Sequence, residues 1–249
     1  MAGHSKWKQI KRKKAVTDSR RASAWTKIIR EITVAARAGG GDPGGNPRLR
    51  LAVDDARAVN MPKENIERAI KKGTGELEGE SYQELTYEGY GPGGAAIIIE
   101  ATTDNPNRTV AEIRHAFSRN GGNLGASNSV AWMFDRKGQV YLDATKLSED
   151  ATLEAALEVG AEDVTREGDQ YVVTTTPAAF HAVQDGLRTR QIPIDSAELA
   201  MVPRNTVRVE GADAERILRL VETLEELEDV SKVFSNFDID AAQLAEAEA

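Results

Sequence analysis

The stretch AAIIIEATTDNPNRTVAEIRHAFSRNGGNLGASNSVAWMF, residues 95–134, decides the fold. Its first eight residues, Ala95 to Thr102, are an aliphatic and β-branched run of the length and composition of a buried strand. Arg108 to about Arg119 follows with Val110, Ile113 and Phe117 on one helical stripe, and Asn120-Gly121-Gly122 stops that helix. Val130 to Phe134 then reads as the next strand, which completes a βαβ unit. A second unit of the same order lies near the other end: strand Thr206 to Val209, helix Ala214 to Leu227, strand Lys232 to Phe237. Between them the pattern predicts strand Val140 to Leu142, helix Thr152 to Val159, strands Val164 to Arg166 and Tyr171 to Thr175, helix Ala178 to Arg188 and strand Leu199 to Val202. That order is βαββαβ. The simplest arrangement is an intact βαββαβ domain, 137–204, inserted between two halves, 76–136 and 205–240, that close a second domain of the same type.

Upstream the period is helical throughout. Trp25, Ile28, Ile29, Ile32, Ala35 and Ala36 form one buried face, and Lys27, Arg30 and Arg37 lie on another. Gly39 to Gly45 and Pro47 interrupt it, and Leu49, Ala52, Val53, Ala56 and Val59 then repeat the period as far as Asn60. Pro62 suits the first turn of a third helix with Ile66, Ala69 and Ile70 inside and Gly73 as its C-cap. The expected fold class is therefore α+β with three domains: residues 1–75 as a basic arm and helical domain, then two ferredoxin-like α/β modules, one inserted in the other. The Ala- and Glu-rich tail, 241–249, has too little apolar surface to order itself.

Charge divides the chain in the same place. Residues 1–75 hold 18 Lys and Arg against 7 acids, net +11, whereas the other 174 residues hold 14 against 33, net −19. A basic head on an acidic body points to a polyanionic partner for the head, and nucleic acid is the expected one. The cations are densest in residues 1–30, where ten Lys and Arg face the single acid Asp18, and residues 1–22 read as an arm whose like charges keep it mobile until phosphates order it. The candidate nucleic-acid-binding residues are His4, Ser5, Lys6, Trp7, Lys8, Lys11, Arg12, Lys13, Lys14, Arg20 and Arg21 in the arm, with Lys27, Arg30, Arg37, Arg48 and Arg50 on the helices behind it. Trp7, set among cations, suits stacking on a base, whereas Trp25 is in phase with the helical core. No helix-turn-helix, zinc-finger or RRM pattern is visible, which favours recognition of phosphate and shape.

Other chemistries lack support in the sequence. Gly89-Tyr90-Gly91-Pro92-Gly93-Gly94 spells G-x-G-x-x-G, but it precedes a strand and opens no helix, so a turn is expected there and no dinucleotide. Gly39 to Gly45 lacks the G-K-[ST] ending of a phosphate loop. His4, His115 and His181 are far apart, and Glu112 with His115 is a single i, i+3 pair where a carboxylate-bridged metal site uses two. Acidic pairs such as Glu149-Asp150 and Glu225-Glu226 sit on the solvent faces of helical patterns. With no cysteine there is neither disulfide nor thiolate catalysis, in keeping with a reducing, cytoplasmic setting. The longest aliphatic run is far short of the roughly 20 residues that cross a bilayer. The first 30 residues also lack a secretory signal, although their Arg- and Ser-rich start would pass for an organellar presequence. The expectation is a soluble, non-enzymatic protein with no cofactor, no metal and no membrane partner.

Several blocks resemble the YebC/PmpR family: Met1-Ala2-Gly3-His4-Ser5-Lys6-Trp7, Thr26-Lys27-Ile28-Ile29-Arg30-Glu31-Ile32, Gly40-Gly41-Asp42-Pro43, Asn46-Pro47-Arg48-Leu49-Arg50, Asn60-Met61-Pro62, residues 87–94 and Gly121-Gly122-Asn123-Leu124-Gly125. The resemblance implies a helical head with two ferredoxin-like modules, and a cytoplasmic factor described as a probable transcriptional regulator that binds DNA. Organellar relatives resemble translational activators of cytochrome c oxidase subunit one, and the family is also linked to rescue of ribosomes slowed at proline-rich stretches. Two readings stay open at this level. In one the head grips promoter DNA and the acidic domains meet unidentified protein partners. In the other the arm enters ribosomal RNA on the ribosome, with His4 to Trp7 at its tip.

Overall fold

The computed structural model describes residues 18–240, with side chains from residue 23 onward. The arm proper and the tail after Asp240 lie outside the described residues. The chain divides into two compact units, Phe134–Arg204 and the remainder.

In the larger unit the head is built from α1 (Asp18–Gly39), α2 (Pro47–Ala58) and α3 (Lys63–Thr74). Ile32, Ala35, Leu49, Ala52, Val53, Ala56, Met61, Ile66 and Ala69 form its core, with Trp25, Ile28, Ile29, Val59 and Ile70 packed at its edge. Asn46 turns the chain between α1 and α2: its Oδ1 accepts from Leu49 N as N-cap, and its Nδ2 donates to Ala35 O at 2.8 Å and Gly40 O at 2.9 Å. Gly73, expected as a C-cap, is instead buried inside α3. A Cβ there would sit 2.5 Å from Thr33 O, so only glycine lets α3 lie this close against α1. The left-handed cap is Gly75, at φ 84°.

The α/β part of this unit has β1 (Gln83–Tyr90), β2 (Ala96–Thr103), α4 (Pro106–Arg119) and β3 (Asn123–Leu124), then after the insertion β8 (Val207–Arg208), α7 (Gly211–Glu226), β9 (Val230–Ser235) and β10 (Phe237–Asp238). Its antiparallel sheet runs β3-β1-β2-β9. Ile97, Ile99, Ile113, Phe117, Ile217, Leu220, Val221, Leu224, Val233 and Phe237 fill the core between α4, α7 and this sheet.

Three departures from the sequence pattern have physical reasons. β1 is hidden in a stretch that reads as acidic and Gly-rich, because one sheet face carries Glu84, Thr86 and Glu88. The 130–134 stretch forms no strand of this sheet: the backbone N–H groups of Val130 and Ala131 are taken by the Glu88 carboxylate, a 3-10 turn spans Ala131–Met133, and Phe134 opens a strand of the other unit. The expected strand near 206–209 shrinks to β8, which pairs in parallel with β10 away from the main sheet.

The inserted unit contains β4 (Phe134–Asp143), α5 (Glu149–Glu158), β5 (Asp163–Glu167), β6 (Gln170–Thr175), α6 (Phe180–Thr189) and β7 (Ser196–Pro203). The sheet order is β5-β6-β4-β7, all antiparallel, which is the ferredoxin-like arrangement of a βαββαβ chain. β4 is ten residues long although only Val140 to Leu142 is legible as strand, because Asp135, Arg136 and Lys137 mask its first half. Gly138 is required at its centre, since a Cβ would fall 2.4 Å from both the Phe180 ring and Thr175 Oγ1.

Candidate nucleic-acid interface

The helical cations expected to grip phosphate have protein partners. Arg30 is 7% exposed. Its Nη1 lies 2.7 Å from Asp229 Oδ1 and 3.0 Å from Glu228 O, its Nη2 lies 2.7 Å from Glu228 Oε1, and its guanidinium stacks on Tyr82. Arg30 is therefore a tie between the head and the α/β sheet. Its Nε has no partner among the described residues. Asp229 also accepts from Arg108 Nη2 at 2.9 Å, Thr109 Oγ1 at 2.7 Å and Thr103 Oγ1 at 3.1 Å. Burial by itself would raise the Asp229 pKa, but the hydrogen bonds from Thr109, Arg108 and Thr103 outweigh it and hold the carboxyl below its ordinary value.

The remaining four are occupied at the surface. Lys27 Nζ donates to Glu225 O at 2.5 Å. Arg37 donates to Glu80 O at 3.1 Å and Ser81 Oγ at 3.2 Å. Arg48 bridges Glu31 at 2.7 Å and Glu84 at 2.5 Å, and its pKa is raised, chiefly by the hydrogen bond to Glu84. Arg50 closes the Gly-rich turn by donating to Pro43 O and Gly44 O. His4, Ser5, Lys6, Trp7, Lys8, Lys11, Arg12, Lys13 and Lys14 lie outside the described residues, as do the side chains of Arg20 and Arg21.

A different surface is built around Glu88, which sequence reasoning missed. Its carboxylate is buried and accepts three backbone N–H groups, from Asn128 and Val130 at 2.7 Å and Ala131 at 2.8 Å. These bonds fix the loop after β3. Gly89 and Gly122 permit the close approach: a Cβ on Gly89 would meet the Phe117 ring at 2.6 Å, and one on Gly122 would meet Tyr90 O at 2.7 Å. The loop presents Trp132, 64% exposed, beside Tyr90, 37% exposed. Trp132 Nε1 and Tyr90 Oη both donate to the same acceptor, Ser129 O, at 3.1 and 3.0 Å. The signal that was available is a Trp and a Tyr in two Gly-rich stretches, 89–95 and 120–133, that hold no charged residue. The glycines of 89–94 serve as the β1–β2 hairpin turn, closed by Gly91 N to Ala95 O at 2.8 Å.

No group of three or more His, Cys, Asp or Glu side chains with metal-binding geometry occurs among the described residues. No described helix is long and apolar enough to cross a membrane.

Comparison with known proteins agrees with this architecture. Residues 5–76 match the TACO1/YebC protein N-terminal domain, and residues 82–237 match the TACO1/YebC second and third domain. A probable transcriptional regulatory protein of Gemmatimonas aurantiaca is 60% identical over 99% of this chain and 100% of its own length. One of Geobacter sulfurreducens is 52% identical over 98% of each chain. The crystal structure of a conserved hypothetical protein from Aquifex aeolicus superposes with a TM-score of 0.85 at 48% identity, covering 92% of this chain and 94% of that one. The chain belongs to the TACO1/YebC family, the YebC/PmpR family that its sequence blocks resemble.

Proposed function

We propose that the protein is a nucleic-acid-binding regulator of gene expression, a DNA-binding transcriptional regulator that acts by binding rather than catalysis. The supporting observation is the distribution of charge along the sequence. Along the sequence, residues 1–22 carry eight Lys and Arg against the single acid Asp18, whereas the other 227 residues carry 24 against 39. That segment is where a phosphate backbone gains most by displacing condensed cations. The names carried by the similar proteins of Gemmatimonas aurantiaca and Geobacter sulfurreducens support a regulatory role. In this reading the arm supplies sequence-independent affinity and the folded units position it.

The test pairs two measurements on the full chain. Binding to promoter duplexes is compared with binding to random duplexes at physiological salt, and tagged protein is sedimented through a ribosome gradient. A preference for promoter duplexes with free protein in the gradient is the expected result. Comigration with ribosomes and no promoter preference would overturn transcriptional regulation in favour of action on ribosomal RNA.

A further inference from the structure

We infer that Tyr90 and Trp132 form a second contact surface, one that stacks unpaired bases of a single-stranded nucleic acid. The inference rests on the nucleic-acid reading above but assigns a site on the folded α/β unit, separate from the arm.

Four observations converge on these loops. Of the large apolar side chains exposed among the described residues, the two aromatic ones, Tyr90 and Trp132, occur here together. Their polar edges are both engaged by Ser129 O, so the exposed area that remains belongs to the rings. The support is rigid, since three hydrogen bonds to buried Glu88 hold the loop, and a rigid aromatic needs little ordering on binding. Finally, residues 89–95 and 120–133 contain no Lys, Arg, Asp or Glu, the Glu88 carboxylate beneath them is capped by three N–H groups, and α4, which leads into them, carries Arg114 and Arg119 against Glu112, its Arg108 being engaged by Asp104 and Asp229. On a body whose net charge is −19, a stretch without acidic residues opposes a phosphate chain less than the acidic surface elsewhere.

The chemistry favours a base over a protein side chain. Around the rings lie Ala126, Ser127, Asn128, Ser129 and glycines, with no exposed Leu, Ile or Val to build the apolar centre of a protein interface. Aromatic faces among neutral amides and hydroxyls, with arginines on the adjoining helix, are what sequence-tolerant strand binding uses. A base paired in a duplex cannot reach such a face, so the surface discriminates strand from duplex.

The experiment uses the full-length chain labelled with 5-fluorotryptophan, whose three tryptophans give resonances assignable by substitution. It is titrated with oligo-uridine RNA, oligo-thymidine DNA, each of about a dozen nucleotides, and a duplex. Either single strand should shift the Trp132 resonance, and the duplex should not. Trp132→Ala should weaken single-strand affinity roughly tenfold with duplex affinity unchanged, and Trp132→Phe should restore most of it. An unmoved Trp132 resonance, or equal strand affinity in wild type and Trp132→Ala, overturns the inference while duplex binding leaves the reading beneath it intact. Loss of self-association in Trp132→Ala with unchanged strand binding overturns it in favour of a protein face. Failure of the wild type to bind any of the three probes removes both.

Discussion

The two ferredoxin-like sheets reach the same strand arrangement by different routes. In the inserted unit the four strands come from one continuous βαββαβ segment, in the order β5-β6-β4-β7. In the larger unit the strand before the second helix, β8, leaves the main sheet, and β1, from before the first helix, takes its place between β3 and β2. The substitution has consequences. A continuous module is closed by its own strands, and its edge strands β5 and β7 pair along their whole lengths with β6 and β4. The discontinuous one ends in a two-residue edge strand, β3, whose following loop is held by Glu88 of the borrowed strand. It is also joined to the helical head by Arg30. The charge network and the exposed aromatics both belong to the unit assembled from distant segments.

Substitutions that break that assembly should have the largest effects. Asp229→Ala takes from Arg30 and Arg108 the buried carboxylate they share, leaving Arg30 only Glu228, and the expected loss is about 3–5 kcal/mol in chemical denaturation. Protein of unchanged stability would mean that the head is held by its apolar contacts alone. Next in size is Glu88→Ala, which strands three N–H groups and should cost on the order of 3 kcal/mol, while releasing the loop that carries Trp132. Amide exchange at residues 128–131 is the direct readout. Gly138→Ala sharpens the comparison from the other side. It presses a methyl against Phe180 and Thr175 in the continuous unit, with an expected cost of about 1–3 kcal/mol and no change in exchange around Glu88.

The pH dependence has a defined sign. Asp229 has a folded pKa below its unfolded value, near 3.9 for an unperturbed aspartate. Its contribution is therefore fully present above that value and is lost as pH falls through the folded pKa. The acid limb of a stability profile should flatten in Asp229→Asn. The smallest effect is expected at Leu153 and Leu157, exposed on α5, where change to Ser should stay within about 0.5 kcal/mol.

What was legible in the sequence follows the range of the interactions. The helical head and most elements of the inserted unit were readable because apolar period and Gly or Asn stops act within a few residues. β1 was not, because its polar face includes Glu88, whose partners lie some 40 residues on. The aromatic and β-branched run at 130–134 has the composition of a strand, but the same carboxylate takes the N–H groups that a ladder would need. Arg30 reads as a surface cation because Asp229, 199 residues away, gives no local sign of itself. The charge asymmetry was visible at once. That two of its helical arginines pair with acids emerged only when Arg48 was placed against Glu31 and Glu84 and Arg30 against Asp229.

The salt dependence of duplex binding tests the central claim most directly. With the eight Lys and Arg of residues 1–22 replaced by Gln, the slope of log affinity against log salt concentration should fall by several units, at about 0.9 for each phosphate that the arm no longer neutralises. A slope equal to that of the unaltered chain would contradict the account.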